Sequence, residues 1–252
     1  MENEFVPHED PTFTPIAPPV LIPPHERPEA PLLHMGFARL FWLGIASMLV
    51  NLLSNSLRLG ERIPALRVPL VLASFVVGAL MIAVLWRMAD AVPRFRKAAL
   101  WNIVSVAASP LLAWIDLSDM TGSLGETDIG AVSAALIALL AVVLGVDIAA
   151  RYQEFTACAE AFNGSDEIFA GKWLVLRTWT VVLVVLFGAC LVLMLMLTVS
   201  QGMYFIVFGS TSLLLVAAAA AVGMAVLSVM ELVYLYRAAS LFARDAFRLS
   251  AR

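Results

Sequence analysis

Residues 178–199 read Thr-Trp-Thr-Val-Val-Leu-Val-Val-Leu-Phe-Gly-Ala-Cys-Leu-Val-Leu-Met-Leu-Met-Leu-Thr-Val, without one charged side chain. A hydrocarbon core about 30 Å thick takes roughly 20 residues of helix to cross, and this run supplies that length. Its amino-terminal flank carries Lys172, Arg177, Trp173 and Trp179, the basic and aromatic residues that favour a membrane interface. The stretch therefore reads as a transmembrane helix.

Working outward, residues 37–57, 69–88, 98–115, 129–146 and 203–230 meet the same criterion. None alternates apolar and polar residues with the period of two that barrel strands require, which leaves helices as the spanning structure. The expected fold is an all-α membrane protein, a bundle of six transmembrane helices in three hairpins covering residues 36–230. The sixth run is long for one crossing, so it tilts or continues past the membrane. Residues 231–252 mix one apolar face with charges and read as an amphipathic C-terminal helix. Composition agrees, since 62% of the 252 residues are hydrophobic and 14% charged, against roughly 45–50% and 25% in soluble proteins.

Orientation follows from the basic residues, which accumulate on cytoplasmic flanks. Placing both termini inside assigns thirteen of the sixteen Lys and Arg residues to the cytoplasm and leaves Arg58, Arg62 and Arg67 outside. Asp116, Asp119, Glu126 and Asp128 lie in an outer connection with no basic residue. An N-in/C-in arrangement is expected. The alanine-rich composition and the lack of a basic signal-peptide region before the first apolar run point to a bacterial cytoplasmic (inner) membrane, with that run kept as an uncleaved anchor.

Residues 1–35 differ in kind, holding nine of the thirteen prolines and six acids against one arginine. Proline removes backbone donors and the acids repel, so the stretch reads as a disordered or extended cytoplasmic tail. Within it Pro15, Pro18, Pro19, Pro23 and Pro24 favour polyproline II, a conformation suited to docking along a partner.

Several chemistries are excluded by what the spans lack. All three histidines, His8, His25 and His34, precede the first span, so no imidazole is available at membrane depth for haem ligation, an intramembrane zinc site or a Ser-His dyad. Cys158 and Cys190 suggest neither a disulfide framework nor a metal site. A net charge of −3 with no long basic block offers no footprint for nucleic acid. Gly209-Ser210-Thr211-Ser212 offers hydroxyls without a base. Asp147-Ile148-Ala149-Ala150-Arg151 resembles the opening of the Asp-Gly-x-x-Ala-Arg motif of CDP-alcohol phosphotransferases, but its glycine is missing and its arginine comes one residue early. No cofactor, metal or catalytic residue is expected.

Four groups of residues remain as candidate sites. Ser47, Asn51 and Asn55 recur along the first helix and Asn102, Ser105 and Ser109 along the third; such stripes face protein or water, either bonding across helices or lining a solute path. Ala217, Ala221 and Ala225 form a small-residue face suited to close helix packing. Arg94, Arg96 and Lys97 stand where anionic lipid head groups lie. The proline-rich tail is the fourth.

Membrane lipids and other membrane subunits are the expected partners. With no enzyme constellation and no coupling charge in the middle of a span, the expected function is a non-enzymatic accessory or scaffold subunit of a larger inner-membrane complex. A chain of six spans, both termini inside and 252 residues is also similar in outline to exporter permeases of the ABC-2 type, which implies transport of a lipid or amphipathic solute powered by a separate ATPase; no site residue follows from that likeness.

Overall fold

The computed structural model describes residues 22–56, 63–114, 129–201 and 206–243, and every regular element within them is helical. Six α-helices dominate: α1 (Ala30–Asn51), α2 (Arg67–Met88), α3 (Arg94–Trp114), α4 (Ile129–Ala161), α5 (Glu167–Gln201) and α6 (Ile206–Ala243). Among the described residues four are long and apolar enough to cross a membrane, with candidate spans Ala30–Ser54, Val68–Met88, Glu167–Met194 and Ser212–Ala243.

Helix ends follow local chemistry. Pro31 occupies the first turn of α1, where a missing N–H leaves no bond unmade. The helix thus starts inside the stretch expected to be an extended tail, preceded by a 3-10 turn at Pro24–Glu26. At its far end α1 widens into a π turn over Leu52–Ser56. The turn after α4 falls at Asn163-Gly164: α4 ends at Ala161 and Gly164 takes a φ of 72°, a conformation that glycine adopts without strain. Asp166 then accepts the backbone N–H of Phe169 at 2.9 Å, an N-cap that starts α5. Helix therefore begins well before the apolar run at 178–199, at Glu167.

Each helix packs against its neighbours in the chain, and α6 closes back onto α1, giving a six-membered ring. Five of the six seams seat a side chain on a glycine. A Cβ on Gly36 would lie 2.5 Å from Met88 Sδ, and one on Gly44, Gly78, Gly188 or Gly223 would meet Leu232, Val106, Leu144 or Leu183 at 2.6 to 2.9 Å. Lost side chains here become close helix contact.

The well-buried core lies at one end of the ring, where α1, α3 and α5 begin and α2, α4 and α6 finish. Phe37, Phe95, Phe155, Phe162, Phe169, Trp173 and Phe242 are each no more than 4% exposed. Phe37 meets the rings of Phe95, Phe162 and Phe242 at 5.8 to 6.3 Å, so aromatic side chains from α1, α3, α6 and the turn after α4 meet inside the ring. Such pairs add about 0.5–1.5 kcal/mol each beyond area burial. Along α2, α5 and α6 the outer faces carry exposed Val68, Leu72, Val182, Val185, Leu215 and Val222, an apolar surface matched to lipid.

Candidate functional site

One turn or more inward from the aromatic end, the ring encloses charge. Arg151 on α4 donates from Nη1 to both carboxylate oxygens of Glu231 on α6, at 3.0 and 3.3 Å. Glu154, one turn along α4, approaches the same nitrogen at 3.9 Å and is 3% exposed. At that distance the contact is ionic, and Glu154 Oε2 has no hydrogen-bond partner among the described residues. Burial pushes the Glu154 carboxyl up to about 7; Arg151 opposes the rise, Glu231 and Asp147 reinforce it, and a hydrogen bond from Asn102 opposes it. The Cys158 thiol is likewise pushed up, chiefly by burial and then by Glu154 and Glu231.

Two small cavities border the Arg151–Glu231 pair. One of about 90 Å³ opens toward α1 and α2 and is lined by Ser47, Asn51 and Met81; the other, of about 130 Å³, opens toward α5 and is lined by Asp147 and Thr180. Arg151, Ser228 and Glu231 line both, so the ion pair forms the partition between them. Each has polar walls and room for several waters.

Other sequence-selected residues fall in several places. Ser47 and Asn51 reach the first cavity, while Asn55 lies in the π turn and its side chain is outside the described ones. Asn102 donates to Ala98 O at 2.9 Å and also meets Glu154; Ser105 is half-buried and the side chain of Ser109 is outside the description. The alanine stripe divides: Ala217 is buried, Ala221 and Ala225 are exposed. Successive four-residue steps rotate the stripe by about 40° each, and the packed line instead takes alternating steps through Ala220, Leu235, Ala238 and Phe242. Arg94 is bound to Glu160 and, at 3.3 Å, to Gln153. Arg96 lies over the Trp86 ring at 5.1 Å and Lys97 is exposed.

Of the tail prolines, Pro15, Pro18 and Pro19 lie outside the described residues, and Pro23 and Pro24 stand at the foot of the bundle. There Ile22 N–H donates to Gly164 O at 3.2 Å, and Arg27 donates to Ala161 O at 2.9 Å and to Asn163 O. The carbonyls left open at the end of α4 thus hold the tail. His34 Nδ1 is 2.9 Å from Ala239 O on α6.

Sequence reasoning missed Glu154 and the pairing of Arg151 with Glu231. A signal existed: Glu154 is an isolated acid followed by Phe155, Thr156, Ala157, Cys158 and Ala159, a stretch too apolar for a solvated face. Among the described residues no group of three His, Cys, Asp or Glu side chains has the geometry to hold a metal ion. Compared with family models, curated proteins and solved structures, the chain matches none.

Proposed function

We propose that the protein is a non-enzymatic accessory or scaffold subunit of a larger inner-membrane protein complex, docking partners through its proline-rich N-terminal tail and its helix faces. In this reading six helices span a bacterial cytoplasmic membrane with both termini cytoplasmic, and the aromatic end faces the cytoplasm. The observation that supports it most directly is the attachment of Ile22 and Arg27 to the turn after α4. A recognition segment anchored at its base has less freedom to lose on binding, so the proline-rich strip leaves the bundle from a fixed point.

The test is co-purification of the tagged chain from its native membrane in mild detergent, with mass spectrometry of what accompanies it, against a version lacking residues 1–21. Stoichiometric membrane subunits that vanish without the tail are expected. An unchanged set of companions would sink the docking role.

A second reading, a permease subunit of an ABC-2-like exporter, is favoured by the polar cavities on either side of Arg151 and Glu231. A nucleotide-binding ATPase as the single companion in the same experiment would select it.

A further inference from the structure

On the outside of the ring, α1 and α2 leave a groove of about 540 Å³ between them, lined by Arg39, Trp42 and Leu43 from one helix and Leu80, Val84 and Arg87 from the other. Its shape follows from the seam. Met88 fits against Gly36 at the aromatic end, where the two helices come close, and the groove lies beside that contact. Because the helices run antiparallel, the residue that begins the α1 wall, Arg39, and the residue that ends the α2 wall, Arg87, stand at the same end. The apolar residues extend from both toward the middle of the candidate spans.

Both arginines are exposed, and neither has an ion pair or side-chain hydrogen bond with another described residue. This sets them apart from Arg27, Arg94, Arg151 and Arg177, whose guanidiniums are bound within the bundle. Two free guanidiniums at one end of an apolar channel form a site polarised in the manner of an amphiphile: a fork for phosphate oxygens and a trough for a hydrocarbon chain. Asp90 lines the recess adjoining the arginines, leaving the site with a formal excess of one positive charge. That favours a singly charged head group over a doubly charged one.

We infer that the groove between α1 and α2 binds an anionic phospholipid from the surrounding bilayer, with its phosphate between Arg39 and Arg87 and an acyl chain along Trp42, Leu43, Leu80 and Val84. The site requires that α1 and α2 lie in a bilayer and is independent of the scaffold reading. It is also distinct from the basic cluster that begins α3, where Arg94 is already engaged.

The test is native mass spectrometry of the full chain released from nanodiscs of phosphatidylglycerol and phosphatidylcholine in equal amounts. One phosphatidylglycerol retained in preference to phosphatidylcholine is expected. The double variant Arg39→Gln/Arg87→Gln lowers that retention by roughly twenty-five-fold, since each basic residue near the surface contributes about fivefold. Ala83→Phe, which fills the trough and keeps both charges, lowers it as well, and Arg237→Gln, on α6 outside the groove, leaves it unchanged. Equal retention of the two lipids, wild-type retention in either groove variant, or an equal loss in Arg237→Gln would overturn the site. If the double variant fails to give a monodisperse helical protein, Ala83→Phe alone decides, because Ala83 is exposed on the groove and supports no buried packing.

Discussion

Arg151 and Glu231 stand 80 residues apart in the chain and share a two-pronged contact across the inside of the ring, from α4 to α6. Removing one partner leaves the other charged in a poorly solvated place. Glu231→Gln should lower stability by roughly 1–3 kcal/mol, short of the 3–5 typical of a fully buried pair, because the Arg151 side chain keeps 37% of its exposure. Arg151→Met combined with Glu231→Leu should recover much of that loss. Denaturant unfolding in detergent measures both, and equal losses in the single and double variants would show that the pair is not the cause.

Glu154 gives the fold a pH dependence of definite sign. Its carboxyl titrates near 7 in the folded chain against an ordinary value of 4.5, so between those values the folded state holds a proton that the unfolded state has lost. This contribution is fully favourable below about pH 4.5 and is lost as pH rises toward 7. The groups that set it are Arg151 and Asp147 on its own helix, Glu231 from α6 and Asn102 from α3. Glu154→Gln should flatten this part of the melting-temperature profile and stabilise the protein at pH 8 on the order of 1–3 kcal/mol. Parallel profiles for the two proteins would refute the assignment.

Phe162 touches the rings of Phe37, Phe169 and Phe242 and is fully buried. Phe162→Ala should cost about 3–5 kcal/mol, read as a loss of thermal stability with the helical signal at low temperature retained. Phe187→Ala, in the apolar run outside the aromatic cluster, serves as the comparison and should cost less.

The Gly36 seam is tested by size. Gly36→Ala places a methyl group where Met88 now packs, and Met88 has no exposed surface to move into. A loss of about 1–3 kcal/mol is expected, and Met88→Val in the same chain should restore part of it. Additive losses in the double variant would mean that the two residues do not share the space.

Much of this architecture can be read from the amino-acid order. Long uncharged runs fix where helices form, and Asn163-Gly164 fixes where α4 turns back, because both are local properties. The sequence reading stopped short where position in three dimensions decides. It passed over Glu154, since nothing nearby in the chain reveals that Arg151 is shared with Glu231. It placed Ala221 and Ala225 with Ala217, although helical rotation carries them out of the seam. It did not bring Arg39 and Arg87 together, because the two, 48 positions apart in the numbering, become neighbours only when α1 packs on α2.

Closure of α6 onto α1 also sets an order of events during synthesis. His34 meets Ala239 across 205 residues, whereas the other five seams join helices that follow one another in the chain. Those five form as the polypeptide emerges, each new helix finding its predecessor already in place. The sixth waits for the last helix, so until then the nascent bundle is a ring with a gap, and Phe37 lacks Phe242, its stacking partner at 5.8 Å. A ribosome halted before that point would leave an unclosed arc with an aromatic edge open to chaperones, proteases or a neighbouring subunit.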